Sequence, residues 1–237
     1  CRNIRFSPGS MKAVVEFLRQ LHAHNERAWF EAHRAEWLQL QERVRSFVEG
    51  LIEGIASFDP SVEGLTAKDC TYRIYRDVRF SRDKSPYKTW QGIYVAPHGK
   101  KAGYAGYYFH LEGAAEEGLV GSHMLFSGLH MPHPTVLRSV REEILDNGAE
   151  FVGNIRRAEG FALDESQRLR RTPAGFPTDS PYDELLRLKE VALCRPFGDD
   201  FLAGDDLLER TLAEFRKTAP FVQQLNRAVQ YAYEEMM

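Results

Sequence analysis

The stretch Tyr104-Ala105-Gly106-Tyr107-Tyr108-Phe109-His110-Leu111-Glu112 decides the fold class of this chain. Ala105, Tyr107, Phe109 and Leu111 alternate in it with Tyr104, Tyr108, His110 and Glu112. Successive side chains of a β-strand point to opposite faces, so a period of two predicts a strand with an apolar side. The other side of this strand is polar but unusually aromatic.

The neighbouring sequence predicts further strands. A second alternation runs through residues 71–80, and Ile93 and Val95 alternate with Tyr94 before a Gly/Lys-rich hairpin turn at 97–103. Further strands are predicted at 119–125 and 191–195. Because the apolar residues favour one face, we expect a mostly antiparallel sheet that is covered by helices on that side.

Helical spacing of apolar residues predominates before and after these strands. Ser10 and Asn25 are predicted to cap two helices, the second of which continues to Asp59-Pro60. Later helices are predicted from Pro134 to Asn147-Gly148, from about Ala149, from Ser180-Pro181, at 205–217 and at 220–234. We therefore predict an α+β fold, a central mostly antiparallel sheet packed by N-terminal and C-terminal helices, in a single domain of residues 1–237.

The apolar stripe of the second helix has two interpretations. Its steps of three and four residues fit a coiled-coil dimer seam, or the buried face of a long helix against its own domain. Trp29 and Phe30 make the stripe wider than a narrow seam. This width favours the buried face, and no oligomeric state is predicted.

Composition excludes several classes of protein. The 237 residues are 43% hydrophobic and 27% charged, with a formal net charge of −3. This balance is typical of a globular protein and argues against coating nucleic acid through the overall field. The longest apolar runs are only a few residues, so we expect no membrane-spanning helix.

The three cysteines predict neither a disulfide framework nor a zinc ribbon. Cys1, Cys70 and Cys194 are odd in number and widely separated, and a reducing cytoplasm is the expected location. Cys1 at the start fits either a mature lipoprotein or a chain whose first residues are missing; without a visible signal sequence, the second is favoured.

A long motif resembles a known family. The run from Arg73 to Ser81, its continuation through Asp83-Lys84 and Pro86-Tyr87-Lys88, and the segment 103–108 are similar to the family catalogued as domain of unknown function 2461. Trp29-Phe30, His33-Arg34, Met131-Pro132 and Arg195-Pro196 also look like that family, so the resemblance covers nearly the whole chain. It implies a fold and brings no established activity with it.

Positive charge is concentrated between residues 73 and 88. Six cations lie there among tyrosines, and guanidinium groups match carboxylate and phosphate oxygens bidentately. If adjacent strands bring Tyr104, Tyr108 and His110 to the same face, the result is a basic, aromatic site for an anionic ligand with a planar part. The candidate ligand-binding residues are Arg73, Tyr75, Asp77, Arg79, Lys84, Tyr87, Lys88, Tyr108 and His110.

A second interpretation of this pattern stays open. Alternating Arg and Asp on a strand also form salt-bridge ladders on a solvated face, each worth little. Arg76 interrupts the apolar side of 71–80, so we expect it to be buried with an acidic partner or to mark an edge strand.

Other chemistries have weaker support. No Gly-rich phosphate cradle or dinucleotide fingerprint occurs. His130 and His133 have a spacing seen in metal sites, but Pro132 and Pro134 make the stretch irregular, and no metal or cofactor is predicted. Cys70 and Cys194 flank predicted strands, where buried structural thiols are common.

Two classes of function follow. The first is a small-molecule enzyme or binder for a phosphate- or carboxylate-bearing ligand, in which Arg73 and Arg79 clamp the anion and Lys84 and Lys88 close over it. Tyr108 and His110 would then be polar contacts or proton donors. The second is a non-enzymatic module that docks an acidic protein surface or, with less support, a nucleic-acid backbone.

Overall fold

The alternating stretch around Tyr107 forms one strand of a five-stranded sheet in a computed structural model, which describes residues 10–114 and 120–237. Cys1 lies outside the described residues. The sheet has the order β1-β2-β3-β5-β4, and every neighbouring pair is antiparallel. Its strands are β1 (Trp90–Val95), β2 (Gly106–Glu112), β3 (His123–Leu129), β4 (Ala162–Leu163) and β5 (Val191–Phe197).

Several predicted strands are confirmed. The turn at 97–103 joins β1 to β2 and sets Val95 opposite Tyr107 and Trp90 opposite Glu112. The strand predicted at 119–125 is displaced, because β3 begins at His123. The first residue of the predicted strand, Leu119, lies outside the described residues. β5 covers the strand predicted at 191–195 and lies between β3 and β4.

Helices cover one face of this sheet, as predicted. They are α1 (Ser10–Ala23), α2 (Arg27–Ala32), α3 (Arg34–Ala56), α4 (Ala67–Cys70), α5 (Pro134–Arg157), α6 (Asp183–Leu186) and α7 (Leu207–Met236), with 3₁₀ turns at Pro60–Val62 and Asp199–Leu202. Phe109 contacts Phe47 of α3 with ring centroids 5.1 Å apart, and Tyr107 meets Phe215 of α7 at 5.5 Å. The apolar side of β2 thus packs against the helices and forms one side of the hydrophobic core.

The stripe of the second predicted helix is buried within its own chain. Leu40, Val44, Phe47, Leu51 and Ile55 all lie in the core. The helix itself is divided, because His33 has non-helical φ and ψ of −108° and 9° and separates α2 from α3. The predicted cap at Asn25 is also wrong, since the side chain of Asn25 bonds elsewhere.

The closing helical region is more continuous than predicted. The two closing helices are a single helix, α7, with Pro220 inside it. Proline removes one amide donor, but the helix continues because both sides of Pro220 carry buried residues, Thr218, Phe221 and Val222. The predicted boundary at Asn147-Gly148 is confirmed as a kink, because Asn147 has non-helical φ and ψ of −128° and 34° and two helical halves of α5 meet there.

The predicted strand at residues 71–80 is wrong. This segment makes isolated bridges at Thr71 with Ile93 and at Tyr75 with Tyr87, and no continuous ladder. It folds back on residues 85–88 instead: the amide of Arg76 donates to the carbonyl of Pro86 at 2.9 Å, and the amide of Lys88 to that of Ile74 at 2.7 Å. Alternation reports only which side chains are buried, and an irregular hairpin that lies against a core has the same pattern.

Candidate functional site

The predicted binding residues fall in three places. The first is an exposed loop with Asp77, Arg79 and Lys84. The second is a cleft lined by Tyr75 and Tyr87. The third is the side of the sheet that faces away from the helices, which carries Tyr108 and His110 and lies next to Lys88 and Arg73. We call this last side the second sheet face. It carries Trp90 of β1 and Tyr108, His110 and Glu112 of β2, which the antiparallel register puts on the same side.

A hydrogen-bonded triad crosses the second sheet face. Tyr108 Oη lies 2.8 Å from His110 Nδ1, and His110 Nε2 lies 3.1 Å from Glu112 Oε2. The imidazole of His110 is completely buried, with 0% exposure, and Glu112 is buried beside it. Residues i, i+2 and i+4 of a strand share a face, so the Tyr-x-His-x-Glu spacing puts all three side chains on the second sheet face.

Glu112 is held in its ionised form. Burial opposes ionisation, but hydrogen bonds from His110 and from the amides of Ala114 and Val120 outweigh it and keep the pKa of Glu112 below its ordinary value. Because a carboxylate only accepts, Nε2 of His110 carries the proton. When the ring is neutral, Nδ1 accepts from the Tyr108 hydroxyl.

A lysine lies over the aromatic groups of this face. Trp90 stacks on His110 with centroids 5.6 Å apart, and Lys88 Nζ is 5.0 Å from the Trp90 ring and 5.8 Å from that of Tyr72. Lys88 is half-buried and donates to the Arg73 carbonyl at 2.6 Å. An ammonium has three donors, so two remain for a ligand.

The positive charge of Lys88 lies close to that of Arg73. Within residues 10–114 and 120–237, neither Lys88 nor Arg73 has a carboxylate at salt-bridge distance. Burial and the nearby Arg73 charge both lower the pKa of Lys88. Lys100 adds a third cation, 5.9 Å from the Tyr72 ring. Two adjacent cations that form no salt bridge within the described residues are an arrangement that an anion would stabilise.

A second polar chain continues from the triad toward the helices. The amide of Glu112 donates to His123 Nδ1 at 2.9 Å, and His123 Nε2 donates to Asp199, which also binds Arg19. Burial raises the pKa of Asp199, but the bonds from His123 and Arg19 lower it further, below the ordinary value. In the part of the chain that the structure describes, no group of three or more His, Cys, Asp or Glu side chains is arranged to hold a metal ion.

The cleft lies between α2 and the irregular hairpin. Its volume is about 310 Å³, and α2 contributes Arg27 and Glu31 to its wall. The hairpin contributes the remaining lining residues, Tyr75, Arg76, Val78, Pro86 and Tyr87.

The exposed loop, residues 77–85, is held by one ion pair of its own and by one with the adjacent Arg76. The guanidinium of Arg79 donates three hydrogen bonds of 2.6 to 3.2 Å to the Asp77 carboxylate, and Lys84 donates to the Val78 carbonyl at 2.9 Å. Arg76, expected to be buried with an acid, pairs with Asp83 but keeps 26% of its side chain exposed. Each interpretation of the basic segment therefore applies to some of its residues: Arg79 and Arg76 form salt bridges, while Arg73 and Lys88 form none with the described residues.

Sequence reasoning missed three members of the second sheet face. Tyr72 and Trp90 were not among the candidates, although both rings lie under Lys88. Glu112 was placed in the polar alternation of this strand but was not named as a candidate. The same alternation that selected Tyr108 and His110 also contains Glu112, so that signal was present; the positions of Tyr72 and Trp90 depend on tertiary contacts.

Comparison with known proteins supports the resemblance noted in the sequence. Residues 13–223 match the model of a family described as conserved hypothetical protein (DUF2461). The chain belongs to this family. No curated protein and no solved structure matches it. The DUF2461 match includes the triad, Lys88 and the cleft, and within the described ranges no helix of this DUF2461 protein is long and apolar enough to cross a membrane.

Proposed function

We propose that the protein binds a small phosphate- or carboxylate-bearing ligand on the second sheet face. The observation that carries the proposal is Lys88, a half-buried ammonium over two aromatic rings, beside Arg73 and without a carboxylate partner among the described residues. An anion would replace the missing counter-charge. Its planar or apolar part would lie against Tyr72 and Trp90.

The triad supplies a polar group at the same place. Tyr108 is partly exposed, and burial together with the Glu112 charge raises the pKa of its hydroxyl, so it stays protonated. Its ring lies within 5.7 Å of the His110 ring. Because its one proton is directed to His110 Nδ1, the hydroxyl oxygen is suited to accept a hydrogen bond from a ligand, and His110 and Glu112 fix its orientation. Arg79 and Lys84 are less suited to the clamp than Arg73, because their polar atoms are already bonded within the exposed loop.

Ligand binding is tested by thermal-shift and calorimetric titration. The probes are inorganic phosphate, a dicarboxylate, a sugar phosphate and a nucleotide, applied to the parent and to the Lys88→Gln, Arg73→Gln and Lys12→Gln variants. Lys12 is an exposed lysine of α1 and provides the charge-matched control. At a hundred times Kd, binding adds about 2.7 kcal/mol to stability. The stabilising probe is expected to act on the parent and Lys12→Gln but not on the other two variants.

Tryptophan fluorescence locates the bound probe. Trp90 lies within 5.0 Å of Lys88, so binding there changes its emission, and Trp90→Phe removes the change while Trp29 and Trp37 remain. Equal stabilisation of Lys88→Gln and the parent by every probe would remove the basis of the proposal.

The exposed loop favours a second candidate, an interaction module for an acidic surface. Phe80 is 96% exposed at the loop and is flanked by Arg79, with Arg82 and Lys84 close in sequence. Aromatic and arginine side chains predominate among the residues that contribute most to protein interfaces. Fluorescence anisotropy with a poly-glutamate peptide and with a single-stranded oligonucleotide tests this candidate: binding must weaken in Phe80→Ser and with added salt.

A further inference from the structure

The cleft beside α2 is separate from the second sheet face and has its own chemistry. It is built from side chains of α2 and of the hairpin, and none of its lining residues belongs to the sheet. A volume of about 310 Å³ is at the lower end of the range for small-molecule sites. The cleft therefore accommodates a ligand with a single ring rather than a nucleotide.

One side of its aromatic wall, Tyr87, is held in place before any ligand arrives. Tyr87 stacks on Phe30 with centroids 4.2 Å apart, and Tyr75 packs against Tyr87 at 5.5 Å. Asn25 holds the backbone of Tyr87 through two hydrogen bonds, of 2.9 and 3.1 Å. A planar group that enters the cleft meets a surface that is already in place, so little conformational entropy is lost on binding.

The hydroxyl of Tyr87 has no partner within the described part of the chain. The residue is only 3% exposed, yet its Oη makes no hydrogen bond there and is not among the fully enclosed unsatisfied atoms. Tyr87 lines the cleft, so the cleft is where a ligand could reach this hydroxyl. Burial and the charges of Tyr75 and Glu31 raise its pKa, so it remains a donor.

The charges at the rim favour an anion. Arg76 is bonded to Asp83 and to the Ser85 carbonyl, and Glu31 is paired with Arg34 at 3.3 Å. Arg27 has no ion pair in residues 10–114 and 120–237, and its charge reaches Tyr87. The cleft thus combines one uncommitted guanidinium, one unbonded hydroxyl and a wall of rings.

We infer that this cleft is a second binding site, for a small aromatic carboxylate. The carboxylate lies between the Arg27 guanidinium and the Tyr87 hydroxyl, and the ring lies against Tyr75. A guanidinium and a phenol hydroxyl together satisfy both oxygens of a carboxylate, and an aromatic ring packs favourably on tyrosine.

Isothermal titration calorimetry with benzoate tests the inference. Benzoate is expected to bind the parent, and cyclohexanecarboxylate, with the same charge but no planar ring, to bind more weakly. Tyr87→Phe keeps the ring and removes only the hydroxyl, so Kd should rise about tenfold or more, the effect of losing a hydrogen bond to a charged group. Arg27→Gln should have a similar effect, and Arg43→Gln, an exposed arginine of α3, should have none.

The two proposed sites are distinguished by their variants. Lys88→Gln leaves the cleft intact and is expected to bind benzoate as the parent does, whether or not the second sheet face binds an anion. Absence of benzoate binding to the parent, or unchanged affinity in both Tyr87→Phe and Arg27→Gln, overturns the inference. Melting curves without ligand show whether each variant is folded.

Discussion

Asn25 and Tyr87, which are 62 positions apart, form a reciprocal pair in which one side-chain amide serves both polar groups of one backbone residue. Asn25 Nδ2 donates to the Tyr87 carbonyl at 2.9 Å, and Asn25 Oδ1 accepts from the Tyr87 amide at 3.1 Å. The pair joins the α1–α2 connection to the irregular hairpin. It fixes the wall of the cleft and, one residue later, the start of the segment that carries Lys88.

Loss of this pair is expected to loosen the hairpin. In Asn25→Ala, the amide and carbonyl of the buried Tyr87 lose their partners, at a cost of about 2 kcal/mol in the free energy of unfolding. Hydrogen exchange of residues 74–88 should accelerate more than that of β2. Urea denaturation and exchange mass spectrometry measure both effects; unchanged exchange in the hairpin would show that other contacts hold it.

Gly92 is expected to be intolerant of a side chain. A Cβ at this position would lie 2.6 Å from Tyr108 Oη and 3.0 Å from Trp90 Cζ3, and Tyr108 is held by His110. Gly92→Ala should therefore lower the free energy of unfolding by about 1–3 kcal/mol.

Gly153→Ala is the matched control for this effect. Gly153 lies within α5, and a Cβ there meets no atom within 4 Å. The substitution should raise stability by about 0.5–1 kcal/mol, because alanine loses less conformational entropy than glycine in a helix. Thermal denaturation of both variants compares the two; equal effects would argue against the crowding at Gly92.

Acid should destabilise the protein through Glu112. Its folded-state pKa lies below the ordinary value of 4.5, so the unfolded chain takes up this proton first as the pH falls. The stabilisation is complete above the unfolded pKa and is lost as the pH falls through the folded pKa. Glu112→Gln should thus be less stable at pH 7 and should show a shallower loss of stability below about pH 5.

An exposed carboxylate provides the control for this pH dependence. Glu49 lies on the solvent side of α3, and Glu49→Gln should follow the parent at every pH. Urea unfolding midpoints between pH 3 and 7 provide the comparison. Parallel curves for Glu112→Gln and the parent would mean that the buried carboxylate does not contribute to acid sensitivity.

Cys70 and Cys194 should be unreactive thiols in the folded protein. Burial, followed by nearby carboxylates, raises the pKa of each to about 12. Only about one molecule in 10⁴ then carries a thiolate at pH 8, and alkylation should be roughly a thousandfold slower than for an unfolded chain. Iodoacetamide labelling with peptide mapping before and after denaturation tests this; rapid modification of native Cys70 would contradict it.

Local patterns were sufficient for much of the fold. A period of two identified β2, because the apolar side of this strand is buried in the core. Helical spacing identified α1, α3 and the apolar stripe that α3 buries. The spacing of Tyr108, His110 and Glu112 also placed polar groups on one face. These features depend on residues within a few positions of one another, so the sequence alone determined them.

Long-range contacts decided the rest. Residues 71–80 have a strand pattern, but Asn25 and residues 85–88 hold them in an irregular hairpin, and no local pattern contains those partners. The pairing of β5 with both β3 and β4 is equally non-local. Only the tertiary structure separated the basic segment into Arg76 and Arg79, which form salt bridges, and Arg73 and Lys88, which form none with the described residues. The reason is that the position of a counter-charge depends on how distant segments pack.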